Sequence, residues 1–211
     1  MNKRCGVLVQ GDQTGDSSLV DLLKAYLKET YRKPGNVYLG VVHRLDRPTS
    51  GVVLFTKTSK ALTRLNEDFK LRRVHKTYHC LVEGHPQPAQ AKLQHWLLRK
   101  PQKNKSFAYP KAVPQAKEAR LQYQTLKSLD RYSCLEIQLE TGRHHQIRTQ
   151  LSTIGHPIKG DLKYGAARSN ANGGIDLHAF RLKIKHPIQK IEMIFEAPYP
   201  KGALWNAVAS G

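Results

Sequence analysis

Residues 43–51, HRLDRPTSG, carry one carboxylate, Asp46, between the guanidinium groups of Arg44 and Arg47. Apolar runs flank this segment on both sides, so we expect a strand, a tight loop that carries Asp46, and a second strand. Nearby positive charges favour the ionised form of a carboxyl group. An ionised carboxylate on an anchored loop can act as a nucleophile. The alternative interpretation is an aspartate that caps the turn or pairs with a surface arginine, since structural ion pairs are common.

A second group of polar side chains lies at residues 141–148, TGRHHQIR. Apolar residues recur at helical spacing after it and Gly155 follows them, so we expect a helix to begin within this segment. His144 and Arg148 are four residues apart and would share one face of that helix. Cations and free backbone N–H groups at a helix start can bind a phosphate or a catalytic carboxylate. A basic surface helix is the alternative, and the spacing alone leaves both open.

The third candidate is Tyr78, which follows Lys76 and begins a run in which side chains alternate between two faces. This alternation predicts a strand. A tyrosine at such a position is more often part of the core. The functional interpretation is an aromatic ring that stacks on a displaced base, with a phenol that can exchange a proton.

The charge balance of the chain points to a polyanionic partner. Lys and Arg number 35 against 16 Asp and Glu, which gives a net charge of +19. Such an excess steers polyanions to the surface, so nucleic acid is the leading partner. An anionic membrane surface is disfavoured because the positive charge does not collect on one amphipathic helix.

Other features of the sequence argue against several classes of protein. No apolar run among the 211 residues is long enough to span a bilayer or to serve as a signal peptide. The three cysteines lie far apart, which argues against a disulfide framework and against a cysteine zinc site. No phosphate-binding or dinucleotide fingerprint is present, so we expect no cofactor and no metal. The expected setting is the cytoplasm.

The positions of the apolar residues predict the fold class. Helical spacing after Ser18, and again from Ser59, predicts two helices, the first with Ser18 as its N-cap. Alternating side chains dominate the remainder, and residues 182–195 have the pattern of a late hairpin. We therefore predict a single α+β domain over residues 1–211, with a mixed, largely antiparallel sheet and flanking helices.

Three segments together resemble the active-site motifs of a known family. They are similar in order and spacing to the motifs of the RluA-type RNA pseudouridine synthases. These segments are residues 43–51, Lys76 with Tyr78, and residues 142–148, GRHHQIR. Two later segments also match: residues 160–165, GDLKYG, and residues 177–179, LHA. The resemblance therefore extends over nearly the whole chain.

This resemblance implies the pseudouridine synthase fold and the isomerisation of specific uridines in RNA to pseudouridine. In such a reaction the glycosidic bond breaks, the uracil rotates, and it rejoins the ribose through carbon. By analogy Asp46 is the nucleophile that acts on a flipped-out base, and Arg148 holds it ionised. Tyr78 packs on the base and assists removal of the C5 proton. A base inside RNA must leave its stack to be reached, and cations must hold the backbone.

The resemblance also implies a set of residues that bind RNA. These residues are Arg44, Arg47, Lys76, Arg143, His145 and Gln146. The implied partner is tRNA or rRNA, which the sequence does not distinguish, and the expected protein is a monomer. No cofactor or metal is implied for an isomerisation of this kind.

The chain departs from the family at its start. The family opens with a strand and a Lys-Pro-x-Gly segment, whereas residues 3–6 are KRCG, with Arg4 in the place of proline. We therefore expect a catalytic domain that lacks its first strand or has an altered edge there, without the S4 RNA-binding domain of many relatives.

Two other function classes fit the composition. One is a catalytically silent RNA-binding module, for which the charge suffices. The other is a metal-free ribonuclease that uses His144 or His145 as acid and base. A ribonuclease shortens RNA, whereas an isomerase leaves its length unchanged.

Overall fold

The computed structural model describes residues 1–210, which form eleven strands and four helices. The strands, in chain order, are β1 (Asn2–Lys3), β2 (Gly40–Val41), β3 (Ser50–Val52), β4 (Phe55–Thr56), β5 (His75–Glu83), β6 (Gln90–Lys100), β7 (Lys105–Tyr109), β8 (Lys117–Ser128), β9 (Tyr132–Leu139), β10 (Leu177–Lys185) and β11 (Glu192–Glu196). The helices are α1 (Leu19–Thr30), α2 (Ser59–Lys70), α3 (Gln146–Thr153) and α4 (Ala203–Ala209).

Nine of these strands form one sheet in the order β1-β3-β10-β5-β9-β8-β6-β7, with β11 pairing with β10. The β3–β10 pair is parallel and the other pairs of this sheet are antiparallel. Strands β2 and β4 pair separately. This mixed, largely antiparallel arrangement confirms the predicted α+β class, and β10 with β11 confirms the late hairpin.

One face of the sheet carries the main core, which supports the loop that contains Asp46. Ile147 and Leu151 of α3 pack in this core together with Leu45 and Val53, which flank that loop. The burial of these apolar side chains fixes α3 and the loop against the same layer of β5. Two segments that are about a hundred residues apart in sequence are thereby brought side by side.

The other face of β5 is also buried, although the sequence alternates as if one face were exposed. Leu81 packs with Cys134 and with Trp205 of α4. Helix α4 therefore covers this part of the sheet, which makes β5 a central strand with two apolar faces.

The two predicted helices are present. Helix α1 begins with a capping box in which the Ser18 hydroxyl accepts from the Asp21 N–H and the Asp21 carboxylate accepts from the Ser18 N–H. Such reciprocal bonds satisfy N–H groups that a helix start leaves free. Helix α2 begins at Ser59, as predicted, with Thr58 as its N-cap. None of the helices within residues 1–210 is both long and apolar enough to cross a lipid bilayer.

Helix α3 begins later than the sequence predicts. Its first residue is Gln146, and His145 before it has a left-handed backbone, with φ of 53°. His144 consequently lies outside the helix, and the prediction that it shares a helix face with Arg148 is wrong. The turn closes through a bond from the Gln146 N–H to the Arg143 carbonyl, which ends the preceding loop before the helix starts.

Candidate active site

Asp46 lies in a tight loop between β2 and β3. The Thr49 N–H donates to the Asp46 carbonyl at 3.0 Å, which closes the turn. Gly51, in β3, has a φ of 115°, and a Cβ at this position would collide with the backbone of Ala179 on β10. Glycine is required here both for the backbone conformation and for the close approach of the two strands. The Asp46 loop is thus fixed against the sheet at its C-terminal end.

The N-terminal strand β1 holds the same loop through Lys3, whose side chain is almost fully buried. Its Nζ donates to the carbonyls of Arg4, Val7 and Arg47, at 3.0, 2.8 and 3.1 Å. The Arg47 carbonyl also accepts from the Gly6 N–H at 2.8 Å. Burial lowers the pKa of Lys3 to about 8. Strand β1 contributes this anchor through its pairing with β3.

Asp46 is in contact with Arg148 from α3. Arg148 Nη1 donates to Asp46 Oδ2 at 3.1 Å, and the Asp46 side chain is 31% exposed. The rest of the guanidinium is bound by Asp161, with Nε to Oδ2 at 2.6 Å and Nη2 to Oδ1 at 2.8 Å. Burial opposes the charge of Arg148, but hydrogen bonds and charge from Asp161 and Asp46 outweigh it and raise the pKa of Arg148. The arginine is therefore a fixed cation beside Asp46.

Asp161 is a site residue to which the sequence assigns no role. It lies just before a 3-10 turn at Leu162–Tyr164, and its side chain is 1% exposed. A buried carboxylate is stable only when it is paired and hydrogen-bonded, and Arg148 meets both conditions. The signal available in the sequence was its position within the matching segment at residues 160–165.

A histidine also faces Asp46. His145 Nε2 lies 3.5 Å from Asp46 Oδ2, and its Nδ1 lies 2.9 Å from the Tyr164 hydroxyl oxygen. Burial, and then the charge of Arg148, lowers the pKa of His145 to about 2. The imidazole is therefore neutral at physiological pH.

Tyr78 lies on β5 at the base of the site. It pairs with Ile137 on one side and with Ala179 on the other, and its ring is buried in the main core. Burial, and then the negative charge of Asp46, raises the pKa of its phenol. The phenol is consequently protonated.

Comparison with known proteins places these residues in a family. Residues 1–153 match the model of a family described as RNA pseudouridylate synthase. The chain belongs to this family. The identification made from the three sequence motifs is confirmed.

Several proteins of this family are similar to the chain in sequence. An uncharacterized RNA pseudouridine synthase of Chloroflexus aurantiacus is 39% identical over 167 residues, which cover 79% of this chain and 52% of the relative. Ribosomal large subunit pseudouridine synthase D of Salmonella typhimurium is 33% identical over 175 residues, 77% of this chain and 52% of the relative. The chain therefore spans about half the length of these relatives.

Solved structures share the fold. The structure of human RNA pseudouridylate synthase domain containing 4 superposes with a TM-score of 0.79 at 24% identity, over 99% of this chain and 87% of that one. At this identity the likeness shows the fold alone. It confirms the predicted pseudouridine synthase fold.

The arginines on the two sides of Asp46 differ in their contacts. Arg44 is exposed. Arg47 is bound within the protein, with Nη1 at 2.8 Å from Asp16 and Nε donating to the Gly6 carbonyl at 3.0 Å. Both arginines are exposed, but the charge of Arg47 is paired with Asp16, and Arg47 joins the Asp46 loop to the segment before α1.

Two further predicted RNA contacts lie at the edge of the site. Lys76 is half-buried beside Gly142 and above the Phe69 ring, with its Nζ 6.0 Å from the ring centroid, and burial lowers its pKa. Arg143 donates from Nε to the carbonyl of Glu118 at 2.9 Å. Lys76 therefore packs beside the loop that leads into α3, and Arg143 joins this loop to β8.

Gln146 is buried and engaged within the protein. Its Oε1 accepts from the Thr141 hydroxyl at 2.8 Å and from the Arg143 N–H at 3.0 Å. Its Nε2 donates to the Arg120 carbonyl at 3.0 Å. This differs from the RNA contact that the sequence predicts, because these bonds close the turn before α3. Gln146 has a positioning role in this geometry.

Proposed function

We propose that this chain isomerises uridine in RNA to pseudouridine, with Asp46 as the nucleophile. One observation carries the proposal: a partly exposed carboxylate touches a buried arginine that a second carboxylate holds in place. Arg148 contacts the Asp46 carboxylate and orients it, which is what attack on a nucleoside requires. The family to which the chain belongs supports the same reaction class.

The surroundings of the carboxylate suit an extruded base. Tyr78 is 9% exposed, and a flipped uracil would pack on the edge of its ring that remains exposed. The raised pKa of Tyr78 disfavours the phenolate, and a protonated phenol is a poor base. We propose that Tyr78 packs on the base, and its part in removing the C5 proton, which the resemblance implies, stays a prediction.

RNA is the proposed substrate. The net charge of +19 raises the local concentration of a polyanion, and Arg44, two residues before Asp46, is exposed. One relative is named as a ribosomal large subunit pseudouridine synthase, which supports ribosomal RNA as one substrate class beside tRNA. We propose that the chain acts as a monomer in the cytoplasm.

The decisive test combines mapping and mutation. Pseudouridine is mapped in cellular RNA with and without the protein, and purified parent, Asp46→Asn and Asp130→Asn are assayed on the sites found. Asn keeps the shape of aspartate but is a poor nucleophile, so Asp46→Asn should lose at least about a thousandfold in rate and still bind RNA. Asp130 is a matched control because its side chain is 95% exposed.

Other outcomes would favour the other function classes. Equal turnover by Asp46→Asn and the parent would exclude Asp46 as the nucleophile. Shortened RNA would favour the ribonuclease, although the lowered pKa of His145 makes its imidazole a weak acceptor of protons. RNA binding without any modified uridine would favour the silent binding module.

A further inference from the structure

A chain of polar contacts leads from the backbone of β7 to Asp46. The Ser106 N–H donates to the Tyr164 hydroxyl oxygen at 2.9 Å, and this oxygen lies 2.9 Å from His145 Nδ1. His145 Nε2 in turn lies 3.5 Å from Asp46 Oδ2. Neither Ser106 nor Tyr164 was singled out as a site residue.

The hydrogen-bonding partners of His145 determine which of its ring nitrogens carries the proton. A neutral imidazole carries one proton, on Nδ1 or on Nε2. A proton on Nδ1 would leave the lone pair of Nε2 facing the Asp46 carboxylate, which is an unfavourable approach of two acceptors. A proton on Nε2 makes a donor toward Asp46 and lets Nδ1 accept from the Tyr164 hydroxyl. The second arrangement satisfies each of the three side chains.

We propose that Tyr164 and His145 are positioning residues for Asp46. Tyr164 donates its hydroxyl proton to His145 Nδ1 and so holds the imidazole proton on Nε2, which then donates to Asp46 Oδ2. This inference rests on the proposed function, since it concerns how the nucleophile is oriented.

The two oxygens of Asp46 consequently differ: Oδ2 contacts the protein, and Oδ1 is available to the substrate. Arg148 and His145 both contact Oδ2, at 3.1 and 3.5 Å. Within residues 1–210 no protein donor is hydrogen-bonded to Oδ1. Two donors on one oxygen leave the other oxygen free to face the nucleoside.

The imidazole is held in the orientation that this role needs. The His144 ring stacks on the His145 ring with 3.8 Å between centroids, and the Ser106 hydroxyl lies 2.9 Å from His144 Nδ1. Tyr164 meets the His145 ring edge-on. Stacking on one side and a hydroxyl at Nδ1 oppose rotation of the ring. Strand β7 therefore supports both histidines through one serine.

The first test observes the tautomer directly, without RNA. The protein is labelled with ¹⁵N-histidine, His145 is assigned by comparison with His145→Gln, and the ring nitrogen shifts are measured. We expect the proton of His145 on Nε2 in the parent and a larger population with the proton on Nδ1 in Tyr164→Phe, because the substitution removes one of the two groups that favour Nε2 and leaves only Asp46. A proton on Nδ1 in the parent would overturn the proposal. An unchanged tautomer in Tyr164→Phe would also overturn it, and would show that Asp46 alone holds the proton on Nε2.

The second test separates orientation from binding. Tyr164→Phe should lower the single-turnover rate by about tenfold, because a hydrogen bond that orients a charged group is lost, with the Kd for RNA unchanged. His145→Gln, whose amide can still donate, should keep more activity than His145→Ala. Tyr123→Phe is the matched control, since it removes a hydroxyl that donates to the Pro88 carbonyl at 3.0 Å in the core.

The outcomes distinguish this inference from the proposed function. Equal rates for Tyr164→Phe and Tyr123→Phe, together with an inactive Asp46→Asn, would exclude the positioning role and leave the nucleophile in place. A fully active Asp46→Asn would exclude the nucleophile, whatever the tautomer of His145. Thermal unfolding of each variant identifies a loss of rate that comes from misfolding. If Tyr164→Phe is misfolded, the single-turnover rates of His145→Gln and His145→Ala test the positioning role, and equal rates would exclude it.

Discussion

Arg148 contacts two aspartates that differ in burial, in hydrogen bonding and in what they leave free. Asp161 is 1% exposed and receives two hydrogen bonds from the guanidinium. Asp46 is 31% exposed and receives one, at 3.1 Å. Both carboxylates bear the same charge and share one cation. Only their surroundings separate them.

The difference shows how one residue type can serve structure and chemistry in the same site. Asp161 uses both oxygens to hold Arg148, so it has no oxygen left for a substrate. Asp46 keeps an oxygen and a solvent-facing side for the nucleoside. A carboxylate buried with a bidentate partner is a structural group, whereas a singly held, partly open one can react.

The comparison predicts that Asp161→Asn is far more destabilising than Asp46→Asn. Asparagine at position 161 would place an NH₂ group against a buried guanidinium and remove its main counter-charge. The loss of one partner of a buried pair costs about 3–5 kcal/mol of unfolding free energy. Asp46→Asn should cost less than about 1 kcal/mol, because this pair is partly solvated. Urea unfolding of both variants measures the difference.

A control keeps this measurement specific. Asp130→Asn changes an exposed aspartate and should unfold like the parent. If Asp46→Asn and Asp161→Asn lowered the unfolding free energy by the same amount, the assignment of one structural and one reactive carboxylate would be wrong.

The two aspartates also differ in how far the sequence reveals them. Asp46 lies in a dense motif between two apolar runs, so both its loop and its candidate chemistry were predicted. Asp161 is buried only because α3 and the turn that follows it fold back on each other. Burial of a charge depends on its partner in space, and local pattern does not contain that partner.

The same limit explains the other differences between prediction and structure. Strand β5 looks half-buried in sequence because the helix that covers its second face, α4, lies more than a hundred residues later. Lys3 looks like a surface residue because lysine is rarely buried. Strand β5, the late hairpin and the first two helices were predictable from periodicity. The strand order was not, because pairing joins distant segments such as β5 and β10.

Lys3 holds the loop that carries Asp46, and its lowered pKa predicts how the stability of the protein depends on pH. The folded state lowers the pKa of Lys3 from 10.5 to about 8, so the unfolded chain binds more protons between these values. Stability should therefore rise with pH across this window in the parent, relative to Lys3→Met. Urea unfolding at several pH values from 7.5 to 10.5 measures the difference.

Lys3→Met should also lower the unfolding free energy at neutral pH by about 1–3 kcal/mol, because it leaves buried carbonyls without a donor. The carbonyl of Arg47 is among them, so activity should fall as the Asp46 loop loosens. Parallel stability curves for parent and variant over the whole pH range would show that Lys3 is not buried as a charged group.

The smallest expected effect concerns the two arginines beside Asp46. Arg44 is exposed, whereas Arg47 is held by Asp16, so a phosphate should meet Arg44. Arg44→Ala should raise the Kd for RNA a few-fold and lower the slope of log Kd against log salt by about 0.7 to 1. Fluorescence anisotropy at several salt concentrations measures both quantities. Arg131→Ala, at an 84% exposed arginine between β8 and β9, is the control. An equal change in slope for both variants would mean that Arg44 attracts RNA only through the net charge of the protein and does not contact a phosphate.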